Sequence, residues 1–274
     1  MILLGILILV AIFAPVIAPF DPITPLEDGS RPRSQPCIHI LGCPASQPQH
    51  IFGVDTNGRD FLSRIIYGSR LSLQIGLETI TFAILIGGLL GAVAGYTGGW
   101  ADNIIMRIMD VLMAFPSLLL AIAIVTVLGP GLINALLAIG IISIPIYARL
   151  IRASILQIKE LDYVSASRAL GASSLRLLFT RILPNSLTPL IVRGTLGIAT
   201  AILDAAALSF LGLGAQAPTP EWGLMLGDEK NSVFNAPFLV FFPGLAIMLV
   251  VLSFNLLGDG LRDALDPRLR SKAR

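Results

Sequence analysis

The chain has 274 residues, 55% of them hydrophobic and only 13% charged, with a mean hydropathy of +0.83. A soluble domain carries about a quarter charged residues, so this composition excludes soluble, disordered and collagen-like classes and indicates an all-α membrane protein. The formal net charge of +2 argues against a nucleic-acid footprint, and 2 cysteines leave no cysteine-rich metal centre to expect.

Six apolar segments are predicted to cross the bilayer, at 2–18, 71–96, 104–128, 132–150, 190–213 and 238–257. Each is expected to be helical, because a helix satisfies its own backbone in lipid. Residues 1–20 form the first. No basic residue precedes its apolar run, and the run exceeds a usual signal-peptide core, so it reads as a retained span. With the N-terminus inside, 13 of the 19 Lys and Arg fall on inner segments and 6 on outer ones. The positive-inside rule then puts both termini in the cytoplasm.

Residues 21–70 form the first outer loop. Pro22, Pro25, Pro32 and Pro36 forbid a long helix there. Cys37 and Cys43 either close a disulfide, as an oxidising compartment permits, or stay two small unpaired residues. The run Asp55 to Asp60 reads as a turn into a helix, since it lacks the glycine register and closing glutamate of a calcium loop. From Arg59, the apolar residues Phe61, Leu62, Ile65 and Ile66 share a face, which predicts a short amphipathic helix on the outer surface.

In the second span Gly87, Gly91 and Gly95 stand four apart. Such spacing lets a second helix approach closely, from this chain or another subunit, although glycine is also simply common in membrane helices. Pro116, Pro145 and Pro243 predict kinks in spans three, four and six. Asp110 lies one turn from Arg107, which suggests a local ion pair. Asp204, near the middle of span five, either faces a translocation pathway or makes an interhelical bond. In the second outer loop, 214–237, Trp222 is expected to anchor at the membrane interface, or else the segment is a pocketed loop that receives a soluble partner.

Catalytic chemistry is lacking. Both histidines, His39 and His50, sit in the outer loop, there is no HExxH motif, and no lysine follows a glycine as a P-loop requires. The chain therefore reads as non-enzymatic, with any ATP-driven work left to a partner.

The inner loop, 151–189, is the most informative stretch. Asp162 is expected to cap a short helix ending at Gly171, with an apolar patch of Val164, Ala169 and Leu170. Such a helix either docks a cytosolic partner or lies flat on the membrane. The loop resembles the signature of permease subunits of ATP-binding-cassette (ABC) importers, which runs Glu-Ala-Ala, three residues, Gly, nine residues, Ile-x-Leu-Pro. Ala166, Gly171, Leu183 and Pro184 match it, with Ser165, Ser167 and Arg181 in place of Glu, Ala and Ile.

Other stretches resemble the dipeptide/oligopeptide/nickel permeases. These are Phe52-Gly53-Val54-Asp55 to Gly58-Arg59-Asp60, then Leu62-Ser63-Arg64, and Asp110 to Ala114-Phe115-Pro116-Ser117. They continue with Ala206 to Gly214, Pro220-Glu221-Trp222-Gly223 to Leu226, and Asn255 to Asp263 with Asp266-Pro267. The match covers nearly the whole chain after Ile51, while 31–49 has no counterpart in it.

This resemblance implies a type I importer permease fold, with 71–274 as a core of about five spans and 151–189 as a cytoplasmic coupling loop. It implies a second homologous permease, two ATPase subunits holding ATP and Mg, a substrate-binding protein outside, and residence in a bacterial or archaeal inner membrane. The cargo would be peptides or a related small solute, moved by alternating access. Asp162, Tyr163, Ser165, Ala166, Ser167, Arg168, Gly171, Leu183 and Pro184 would couple to the ATPases. The alternative is an ion-coupled secondary transporter working through Asp204, a class that usually shows more spans and internal repeats.

Overall fold

A computed structural model describes residues 2–44 and 46–265. The Asp266-Pro267 end of the last motif and the basic tail after it lie outside the described residues. Four helices are long and apolar enough to cross a membrane: Phe61–Thr97, Leu132–Ile158, Ser174–Phe210 and Phe238–Leu265. A bent pair and one shorter apolar helix bring the apolar segments to six, in the predicted order.

The first segment is α1 (Ile2–Ile12) followed by the single turn α2 (Ala14–Ile17). The break falls at Phe13, just ahead of Pro15, whose ring lacks the N–H a continuous helix needs. The third segment departs from its expectation of one span. It divides into α4 (Gly99–Met113) and α5 (Ser117–Leu128), which meet at 92°. Pro116 sits at the corner with extended backbone (ψ 126) and starts the second helix instead of kinking a single one.

The stretch expected as a separate surface helix is the opening of α3 (Phe61–Thr97). Asp60 caps it by accepting the Ser63 backbone N–H at 2.8 Å, and Gly98, at φ +66, ends it. At about 1.5 Å per residue α3 is roughly 55 Å long, well beyond a hydrocarbon core of about 30 Å. Its first turns are wrapped by loops, which is why Phe61, Ser63 and Arg64 are all buried.

α6 (Leu132–Ile158) runs parallel to α3 and packs along it. The glycine row makes that contact, so its partner is within this chain. A methyl at Gly87 would lie 2.6 Å from the Ile144 carbonyl oxygen, one at Gly95 3.0 Å from that of Arg152, and one at Gly91 closer still to that of Ala148. α9 (Leu183–Phe210) and α11 (Phe238–Leu265) complete the core, joined through α10 (Trp222–Glu229). The directions of these helices give the molecule two ends. The N-terminus of α3 and α10 lie at one, and the α6–α9 connection lies at the other.

Candidate functional site

The α6–α9 connection is built from short pieces. α6 stops at Ile158, and Lys159 reaches back to donate to the Gly95 carbonyl at 3.3 Å. Then come α7 (Asp162–Ala169), the single turn α8 (Ser174–Leu177), a π-helical turn at Leu178–Ile182, and α9. Pro184 explains the π turn. It has no N–H for the preceding carbonyls, and widening the helix there lets the Leu183 N–H bond the Leu178 carbonyl instead. Leu183 and Pro184 thus begin a long helix rather than close a loop.

Asp162 does not cap α7. Leu161 is the capping residue, with no side-chain bond, and Asp162 occupies the first helical turn, where its charge favours the helix dipole. Val164 is fully buried and is the helix's only buried residue. Tyr163, Ser165, Ala166, Arg168, Leu170 and Gly171 are exposed and Ser167 half-buried. The expected apolar patch therefore splits, with Val164 facing in and Leu170 89% exposed. Gly171 adopts φ +85 as the helix ends, and backbone bonds from its N–H to Arg168 and from Ala172 to Ser167 close the turn. A side chain there would meet nothing within 4 Å, so the backbone angle and not space calls for glycine. A cleft of about 460 Å³ opens beside it, lined by Ser167, Leu170, Gly171, Arg176, Thr180 and Arg181.

The α7 end is held to the spans by few polar ties. Tyr96 of α3 donates to the Ser174 carbonyl at 2.9 Å, and Asn185 of α9 donates to the Tyr163 hydroxyl at 3.3 Å. On α4, Asp102 receives Arg152 through two bonds of 2.5 and 2.6 Å. Asp110 pairs with Arg149 of α6 at 2.5 Å, not with Arg107 one turn away. The longer reach ties α4 to α6.

The opposite end is a dense polar platform. His50, buried, has Nδ1 2.8 Å from Asp60 Oδ1 and Nε2 2.9 Å from Asp28 Oδ2. Asp55 accepts the Asn57 and Arg59 backbone N–H groups and the Arg59 side chain. Arg64 donates to the carbonyls of Pro22 and Pro218, stitching the two loops together. Glu229 accepts from Thr56 and Ser232. Burial raises the Asp28 carboxyl, but hydrogen bonds from Ser30 and His50 outweigh it and hold the group below its usual value. Burial pushes Glu221 up, although it accepts the Gly223 and Leu224 N–H groups. Cys37 and Cys43 are joined in a disulfide, with Cα atoms 5.4 Å apart.

Sequence reasoning missed this platform. Its signal was the concentration of charge in stretches already noted for their resemblance, at Asp55, Arg59, Asp60, Arg64 and Glu221. Trp222 is a correction. Its ring is 1% exposed, packs over Gly68 and donates to the Ile65 carbonyl at 3.0 Å. A side chain enclosed by α3 is available neither to the membrane interface nor to a docked protein. Asp204 is half-buried on α9 and, among the described residues, has no hydrogen-bond or ion-pair partner, so the expected interhelical bond is not seen among them.

Comparison with known proteins follows the same lines. Residues 87–271 match the family model described as the binding-protein-dependent transport system inner membrane component. The dipeptide transport system permease protein DppC of Alkalihalophilus pseudofirmus is 52% identical over 96% of this chain and 83% of its own length. The di/tripeptide transport system permease protein DppC of Pseudomonas aeruginosa is 50% identical over 96% of this chain and 85% of its own. The glutathione transport system permease protein GsiD of Pectobacterium atrosepticum is 52% identical over 81% and 74%. Among solved structures, an inward-facing MetNI methionine ABC transporter chain superposes with a TM-score of 0.59 at 21% identity, over 75% of this chain and 97% of that one.

Proposed function

Because this chain belongs to the family of binding-protein-dependent transport system inner membrane components, as a multi-pass permease subunit of an ABC importer, we propose that it forms half of a peptide pathway driven from the α7 end. The relatives' printed substrates, dipeptides, di/tripeptides and glutathione, suggest short peptides as cargo. A second homologous permease supplies the other half, two ATPase subunits meet the α7 end in the cytoplasm, and a binding protein delivers cargo at the platform end. Both termini lie in the cytoplasm. This chain provides no catalytic group and no cofactor site; ATP and Mg are held by the ATPases.

One observation carries the reading: α7 stands out from the bundle with every residue but Val164 exposed or half-exposed, flanked by a cleft and ended by Gly171. A short helix so weakly covered by its own chain is a surface for a partner. Closure of the ATPases on nucleotide pushes α7, and the push reaches α9 through Asn185 and α6 through the short 159–161 link. Asp204, without a partner among the described residues, faces the pathway in this scheme. The ion-coupled alternative through Asp204 has no support among the relatives.

The test is affinity purification of the tagged chain from its own membrane, followed by reconstitution. The expected result is a complex with ATPase subunits whose uptake stops without ATP. Uptake that persists without ATP and follows an ion gradient would contradict the proposal.

A further inference from the structure

In its first half α3 exposes a polar stripe, edged by Leu77 at 58% exposure. Arg70, Gln74, Glu78 and Thr81 are all exposed. At 100° per residue they fall within one arc of about 80°, so they form a single stripe along the helix. Further along the same face come Leu85 and Leu89, which are the apolar residues expected of a span. The polar stripe is therefore confined to the half of α3 nearer the platform. It begins at a cleft of about 420 Å³ lined by Asp21, Tyr67, Arg70, Gln74 and Pro220.

Glu78 lies eight residues beyond Arg70, about 12 Å along the axis. Its carboxylate accepts a bond from Gln74 at 2.7 Å, on the same helix. Among the described residues neither Glu78 nor Arg70 has an oppositely charged partner. A carboxylate and an amide turned toward hydrocarbon are costly, and a charge inside a span by default faces protein or water.

We propose that Arg70, Gln74, Glu78 and Thr81 form the water-facing wall of the pathway at the platform end, and that this wall holds the two terminal charges of a short zwitterionic peptide. The peptide carboxylate sits at Arg70 and its ammonium at Glu78, with Gln74 fixing the Glu78 carboxylate and Thr81 offering a hydroxyl one turn deeper. The spacing suits the ligand. Two or three extended residues span about 7–10 Å, and the long Arg70 stem covers the difference. The peptide travels amine first, because the anionic group lies deeper than the cationic one. The ligand class rests on the permease reading above; the orientation of the stripe toward water does not.

The experiment uses the assembled importer in its membrane. Single cysteines replace Gln74, Glu78, Thr81 and Leu89 in turn, with a membrane-impermeant charged thiol reagent added from the platform side. The chain's 2 cysteines are joined to each other, so this chain offers the reagent no free thiol, and labelling is read on its own band against the unsubstituted complex. Positions 74, 78 and 81 are expected to react and position 89 to stay protected. In parallel, Arg70→Gln and Glu78→Gln are expected to lower uptake of a zwitterionic dipeptide about tenfold at equal membrane levels, the loss of one charge-assisted contact. Glu78→Asp is expected to keep most of the uptake. No labelling at 78 and 81 in a complex that still imports, or full uptake by Glu78→Gln, overturns the proposal. A wild-type complex that imports no peptide overturns the ligand assigned here together with the peptide reading, while the labelling still decides whether the stripe meets water.

Discussion

Tyr163 of α7 accepts a hydrogen bond from Asn185, which stands at the start of α9, at 3.3 Å. Asn185 also donates to the Arg181 carbonyl at 2.6 Å, so one side chain ties the projecting helix to the first turn of a span. Tyr163→Phe keeps the ring and removes the acceptor. A single exposed bond contributes about 0.5–1 kcal/mol. Melting of the purified complex is expected to change little, while peptide uptake per ATP hydrolysed falls roughly two- to fivefold. A variant with unchanged uptake per ATP would show that the bond transmits nothing.

The glycine row gives a sharper contrast. A methyl at Gly91 would be driven into the Ala148 backbone, whereas one at Gly88 meets nothing within 4 Å. Gly91→Ala is expected to destabilise by about 2 kcal/mol or more, because backbone cannot step aside as a side chain can. Gly88→Ala is expected to be neutral or to stabilise by up to ~1 kcal/mol. Melting curves of the two variants in one detergent make the comparison, and equal losses would disprove the packing.

Trp222 links α10 to α3 from inside. Trp222→Ala is expected to cost about 3–5 kcal/mol and to reduce the amount of folded protein in the membrane. Trp222→Phe, which loses the bond to Ile65 and part of the ring packing over Gly68, is expected to cost less, about 1–3 kcal/mol. The discriminating measurement is binding-protein affinity of the folded Trp222→Phe variant, which should match wild type.

The platform gives a pH dependence whose sign is fixed by Asp28. Its carboxyl is held below the ordinary 3.8 by Ser30 and His50. The ionised form is therefore favoured in the folded state. That contribution is complete above pH 3.8 and disappears as the pH falls through the lowered value. Asp28 is partly solvated, so the effect is under about 1 kcal/mol. The melting difference between wild type and Asp28→Asn is expected to be present at pH 7 and to close toward pH 3. A difference that widened on acidification would reverse the assignment.

Much of this fold could be read from hydropathy, because lipid makes apolar run length decisive. The span order was legible for that reason, the glycine row by its four-residue spacing, and the projecting helix between Asp162 and Gly171 by its end signals and the loop signature. Helix ends were not. α3 starts ten residues before its apolar run, held by an Asp60 cap and by loops that bury Arg64, and nothing in the run itself marks that start. The 92° corner at Pro116 was legible as a kink and not as a break, since the angle depends on what α5 packs against. Trp222 was misjudged because an interfacial and a buried indole look alike in sequence; Gly68, which makes room for it, is 154 residues away. Asp110 has a basic residue one turn off at Arg107 and another across the helix pair at Arg149, and only tertiary packing chooses between them.

Gly171 offers the most direct measurement of whether α7 is driven by ATPases. Its φ of +85 disfavours any other side chain by about 1–2 kcal/mol, and the space beyond it is open, so a bulky replacement protrudes into whatever docks there. Gly171→Val should reach the membrane at wild-type levels, with peptide uptake strongly reduced while ATP hydrolysis by the complex continues without it. Wild-type uptake by Gly171→Val, at equal membrane levels, would contradict the coupling role of this helix.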